Sequence, residues 1–218
     1  MSLGKSETSG ISAAGIALNP LFRSLMSGLH AAAQPLTVLR VRLDEDRLSS
    51  LDPEDVLRTA MEAIPPVDRL CSLVSGMQQL VTAEYLEPHR TEVDVLALTR
   101  STVEGVDLLF VEKGMDLVSE VSTLSAMMLV DGKRLEEALA TTLLLVQGIS
   151  YPGDRIRVWA QCVDNLFRCT IGNENRTIEK LSSDHQLSFA IAECDVRTQG
   201  GTLNLSFSPV NIELSLSA

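Results

Sequence analysis

The chain has 218 residues, 45% of them hydrophobic and only 4% aromatic. That supplies one large or two small domains with cores of their own and excludes disorder throughout. A formal net charge of −11 excludes a nucleic-acid surface, because phosphate binding draws on a basic face.

The first eleven residues begin MSLGKSETSG and read as a flexible N-terminus without the apolar stretch of a secretory signal. No apolar run approaches the roughly 20 residues that cross a bilayer, so no membrane contact is expected within this chain. Cys71, Cys162, Cys169 and Cys194 form no C-x-x-C pair and have no histidine at ligand spacing. The chain is therefore expected to bind no metal, and a reducing, cytoplasmic setting fits it.

Residues 12–48 read as one long amphipathic helix. Leu25, Leu29, Leu36, Leu39 and Leu43 are spaced by about one or two helical turns and share a stripe. Asp52-Pro53 then carries helix-start chemistry, with Asp52 as cap, Pro53 in the first turn and Asp55 at the third helical position. The second helix runs to about Ala83, and Pro65-Pro66 is expected to interrupt and kink it. Two helices joined by a short turn form an antiparallel hairpin over 12–83. Alone it leaves an apolar stripe in water, so pairing with a second copy as a four-helix bundle is predicted, giving a homodimer.

Residues 84–91 read as a linker. From 92 to 218 the pattern is mixed: a helix over 94–113, strands near 115–121 and 126–130, and a helix opened by Asp131 that runs to Ile149. Tyr151-Pro152-Gly153-Asp154 turns into Ile156, Val158, Ala160 and Cys162, which alternate, as do Phe167, Cys169 and Ile171. A third helix fits 184–198, opened by Asp184. Gly200-Gly201 then turns into strands at 202–208 and 212–217. Helices against a mostly antiparallel sheet make a two-layer α/β sandwich, and the whole chain is α+β.

The segment Ser27-Gly28-Leu29-His30-Ala31-Ala32-Ala33-Gln34-Pro35-Leu36-Thr37 stands out, since a proline five residues after a histidine inside a helix is costly. It resembles the phospho-acceptor box of histidine kinases: histidine, acidic residue, two variable positions, Thr/Asn/Gln, proline, leucine. His30 is one position off the Leu29 stripe, on a polar face shared with Arg23, Ser27, Gln34 and Thr37. Asp131-Gly132-Lys133-Arg134-Leu135-Glu136-Glu137-Ala138-Leu139 resembles the start of that family's asparagine box. Gly153 to Val158 is similar to the strand after it. Ala190-Ile191 and Gln199-Gly200-Gly201-Thr202-Leu203 resemble the helix and turn that close the ATP-binding domain.

The departures are as informative. The family's Mg²⁺-ligating asparagine is replaced by Thr142-Leu143-Leu144-Leu145-Val146, with Val146 about at its place, and an aliphatic run offers a hard cation no oxygen. Ile171-Gly172-Asn173-Glu174-Asn175-Arg176 stands where the first glycine box carries its adenine-binding aspartate. Gln186-Leu187-Ser188-Phe189 stands where the second lets backbone amides reach phosphate. Ala31 replaces the acidic residue that takes a proton when ATP is attacked.

The resemblance is to a degenerate histidine kinase core, similar to the dimeric histidine phosphotransferases of phosphorelays. It implies a phospho-acceptor at His30, an auxiliary role for Gln34, and docking of response-regulator receiver domains on Arg23, Ser27 and Thr37. The chain itself would bind no cofactor, the Mg²⁺ being carried by the receiver. Two other readings stay open: a dimeric pseudokinase that only binds partners, with His30 vestigial, and an active kinase with a divergent ATP site. His89 and His185 read as ordinary surface residues and Leu143–Val146 as core. Asp44-Glu45-Asp46 reads as a solvated helix end.

Overall fold

The computed structural model describes residues 20–42, 44 and 52–217, with side chains from Ser24 onward. The two hairpin helices are α1 (Pro20–Arg42) and α2 (Pro53–Tyr85). Positions 1–19, 43 and 45–51 of the sequence reading lie outside the described residues. Asp52 caps α2 by accepting the Asp55 amide at 2.9 Å, with Pro53 in the first turn and Glu54 and Asp55 favouring the positive end of the helix dipole.

Pro65-Pro66 does not divide α2, which is assigned as helix without a break to Tyr85. Pro65 is exposed and Pro66 half-buried, so carbonyls that lose their amide partners there can turn to water, while packing on either side holds the helix. The Leu stripe of α1 divides. Leu25 packs into the hairpin and Leu39 is half-buried, whereas Leu29 and Leu36 stay 56% and 55% exposed. The buried face of α1 is instead Gly28, Ala31, Ala32 and Pro35, whose small side chains permit close packing.

The sandwich follows as β1 (Thr91–Asp94), α3 (Val95–Glu112), β2 (Asp116–Val121), β3 (Met127–Val130) and α4 (Gly132–Ile149). It continues as β4 (Arg155–Val163), β5 (Leu166–Asn173), α5 (Ser183–Arg197), β6 (Thr202–Phe207) and β7 (Val210–Ser217). The five-stranded sheet has order β2-β4-β5-β7-β6; β2 and β4 are parallel and the other pairs antiparallel. Alternation works as the sequence implies. Ile156, Val158, Ala160, Phe167, Cys169, Ile171, Ile212, Leu214 and Leu216 bury one face of the sheet beneath Leu96, Phe110, Leu135, Leu139 and Leu143 of α3 and α4.

Strand β1, which pairs antiparallel with β3, falls partly in the expected linker. At four residues it is too short to show a period. Asp94 ends it and caps α3, accepting from Leu96, Ala97 and Ala126 amides. These bonds, the Ala97 amide first, hold its carboxyl down at about 2. Helix α5 is capped by Ser182, whose Oγ accepts the His185 amide at 3.3 Å, and not by Asp184. Asp184 lies inside the first turn, where its carboxylate is free to pair with Arg69 of α2 at 2.9 Å.

Candidate functional site

His30 sits midway along α1 and is exposed, as are Gln34 and Thr37 one and two turns later. Helical spacing puts the three on one face, with the exposed apolar Leu29 and Leu36 beside it. The Thr37 hydroxyl donates to the Ala33 carbonyl at 2.9 Å and so is spent on its own helix. Ser27 is half-buried, and its Oγ donates to Gln186 Oε1 at 3.0 Å. It therefore leaves the His30 group and ties α1 to α5. The side chain of Arg23 lies outside the described residues. Ala31 is 5% exposed and packs in an apolar cluster with Leu187, Ala190 and Cys194 of α5, so no proton acceptor follows His30.

The segments at the nucleotide positions turn inward. Val146 and Leu143 are fully buried in the sandwich core, and the Thr142 hydroxyl donates to the Ala138 carbonyl at 2.7 Å. A cleft of about 330 Å³ lies between α2, α4 and α5; α4 shows it Thr141, Leu144 and Leu145. None carries a carboxylate or carboxamide.

Asn173 is also fully buried. Its Nδ2 donates to Ser150 Oγ and to Asp154 Oδ2, both at 2.9 Å, while its Oδ1 accepts the Asn175 amide at 3.1 Å. Arg176 reaches the same Asp154 oxygen at 3.1 Å and lays its guanidinium 3.8 Å from the centre of the Tyr151 ring. The Tyr151 amide, helped by Asn173 and Arg176, holds the Asp154 carboxyl below the usual carboxylate range. The corner between the end of α4 and the end of β5 is thus occupied by its own side chains.

Gln186 to Phe189 serve α5's packing. Gln186 donates to the Leu181 carbonyl at 3.0 Å, Leu187 is buried against the hairpin, and Phe189 packs on the sandwich core. Among the described residues no three His, Cys, Asp or Glu side chains converge as a metal site, and no helix is long and apolar enough to cross a membrane.

Several residues that position this frame carry no sequence signal, because their partners are remote in the chain. Arg134 donates to the Ala83 carbonyl at 2.9 Å, the Leu86 carbonyl at 2.6 Å and Thr198 Oγ1 at 3.0 Å. The Glu84 carboxylate accepts from the Cys194 thiol at 3.2 Å and pairs with Arg197. The Cys194 hydrogen bond, helped by Arg197, lowers Glu84 against its burial, while burial and Glu84 push the Cys194 thiol up to about 12. That thiol is no nucleophile at neutral pH.

No family model matches the sequence, and no curated protein does. The fold does have solved counterparts. The Acinetobacter baumannii histidine kinase AdeS superposes with a TM-score of 0.69 over 86% of this chain and 97% of its own, at 17% identity. Full-length ShkA, solved with AMPPNP, gives 0.61 over 92% of this chain and 47% of its own, also at 17% identity. A histidine kinase from Burkholderia phymatum gives 0.53 over 89% of this chain and 97% of its own, at 14% identity. The fold is thus like that of these histidine kinase structures: a helical hairpin followed by a two-layer α/β domain.

Proposed function

We propose that this chain is a two-component histidine phosphotransferase, cytoplasmic and homodimeric, that relays phosphoryl groups between receiver aspartates through His30 without using ATP. One observation carries the reading. The histidine of a kinase-like hairpin is presented to solvent, while the side chains at the nucleotide positions are consumed by the core and by the Asn173–Asp154–Arg176 network.

In the first transfer an imidazole nitrogen of His30 forms a bond to phosphorus as the aspartyl P–O bond breaks, and the receiver's carboxylate leaves. The second transfer reverses this onto another receiver. Neutral imidazole is a competent nucleophile near pH 7, so no acidic neighbour is required. The receiver supplies the Mg²⁺ that neutralises phosphoryl oxygens. Gln34, exposed one turn from His30, would hold a phosphoryl oxygen or a water.

The dimer would form along the exposed apolar residues of the hairpin. On α2 these include Leu57, Ile64, Val67, Val74 and Val81, spaced 7, 3, 7 and 7, and on α1 they include Leu29 and Leu36. This is coiled-coil spacing, and burying each large side chain is worth roughly 1.5–3 kcal/mol.

The test is incubation with phosphorylated receivers. An acid-labile, alkali-stable label on His30 is expected. If partners bind but no cognate receiver labels His30, the chain is a binding-only regulator of the pseudokinase type. Titration calorimetry with Mg²⁺-ATP is expected to show no binding; a micromolar dissociation constant would restore the kinase reading.

A further inference from the structure

Kinase-like cores join their two domains by a short segment, and domain contacts within a chain default to mobile unless they are large and apolar. Here α5, a helix of the sandwich, lies in the hairpin as a third helix. Leu187, Ala190 and Cys194 share one buried cluster with Ala31, Ala32, Leu73, Leu80 and Ala83.

The hairpin is cut to receive it. A Cβ on Gly76 would stand 3.1 Å from Leu187 Cδ2 and 3.3 Å from Ile191 Cδ1. One on Gly28 would stand 3.0 Å from Met77 and 3.6 Å from Leu187. Polar ties close both ends of α5. At its start, Asp184 pairs with Arg69 and Gln186 with Ser27. At its finish, Glu84 holds Cys194 and Arg197, and Arg134 joins Thr198 to the α2 carbonyl of Ala83. A helix nested only at its middle can roll or pivot; ties at each end oppose that motion.

We propose that α5 is a fixed bolt that makes hairpin and sandwich one rigid body, and that alanine at position 31 is a requirement of that bolt. Ala31 is 5% exposed on the face of α1 that α5 covers. A carboxylate there would be stripped of water in an apolar cluster, which is unfavourable. In this chain an acid after His30 and a seated α5 exclude each other. The sandwich therefore frames His30 from one fixed position and does not swing toward it. The bolt stands whether or not His30 carries phosphate, so the two ideas fail separately.

Small-angle X-ray scattering of the intact chain, collected at a single oligomeric state behind a sizing column, tests it. The wild-type profile is expected to fit one domain orientation. Ala31→Glu is expected to raise the radius of gyration by about 2 Å or more with helix content kept by circular dichroism. Gln34→Glu, the same charge one turn away on an exposed site, is expected to leave the profile unchanged. A wild-type profile that requires several orientations overturns the proposal, as does a folded Ala31→Glu chain that scatters like wild type. If Ala31→Glu does not fold, the wild-type profile alone decides.

Discussion

Two regions of this molecule took opposite courses. The outer face of α1 keeps His30 and Gln34 in solvent. At the corner between α4 and β5, Ser150, Asp154, Asn173 and Arg176 bond one another, and Asn173 is fully buried. Side chains turned to one another hold a fold together but are not available to a ligand, whereas an exposed imidazole adds little to stability and is free to react. Substitution should therefore separate the two regions cleanly, with function lost at one and stability at the other.

The sharpest way to break the comparison is at His30. His30→Gln is expected to cut phosphotransfer from a receiver by at least about a thousandfold, measured by radiolabel. Sizing-column mass and melting temperature should stay within error of wild type, because the side chain is exposed. A large loss of stability would make His30 structural and erase the contrast.

Next in size is the oligomer. Leu29→Asp with Leu36→Asp places two charges on the exposed stripe beside His30 and is expected to yield monomers or aggregates by light scattering. Wild-type protein that runs as a monomer at micromolar concentration would remove the dimer from the proposal.

Asn173→Ala probes the other region. It leaves Ser150 and Asp154 short of a donor within the fold and is expected to cost about 1–3 kcal/mol in urea unfolding. Gln34→Ala, on an exposed site, should stay within about 0.5 kcal/mol while changing the rate of transfer or hydrolysis.

The smallest expected effect is a pH slope. Asp195 is buried beside the seam. Burial, with the charges of Glu137 and Asp131 against the pull of Arg134, pushes its carboxyl up to about 7. The folded state thus holds a proton that the unfolded chain releases near pH 4. The sign follows from linkage: this contribution to stability is complete below about pH 4 and is lost as pH rises through about 7. Asp195→Asn should flatten the melting temperature between those limits and raise it at pH 8. A variant with the wild-type slope would show that Asp195 does not titrate in that range.

Much of the fold was legible because its signals are local. Asp52 and Asp131 cap the helices they precede. The alternation of Ile156, Val158 and Ala160 names the buried face of β4, and Gly200, at φ +87°, makes the turn before β6. His30 is exposed as read, but not because it flanks a buried Leu29: Leu29 is exposed too, and the covered face of α1 is Gly28, Ala31, Ala32 and Pro35. Less legible were features that depend on competition between neighbours. Asp184 can cap a helix, yet Ser182 lies one turn before the His185 amide and takes that role. Ser27 has the spacing of a docking residue, but its hydroxyl meets Gln186, 159 positions away. The Leu stripe divides because α1 must pack against α5 as well as α2.

The sequence by itself determined the two-part architecture, the helices with their caps and the strand faces. Each follows from a period of 3.6 or 2 and from chemistry within a few residues. Only the tertiary structure decided that α5 enters the hairpin and that Ala31 is covered by it. It likewise decided that Glu84 meets Cys194 and Arg197, and that Asn173 closes on Asp154. Those outcomes depend on which surfaces meet after the chain has turned back on itself. Contacts between residues a hundred positions apart leave no period in a sequence, however firmly they hold the folded state.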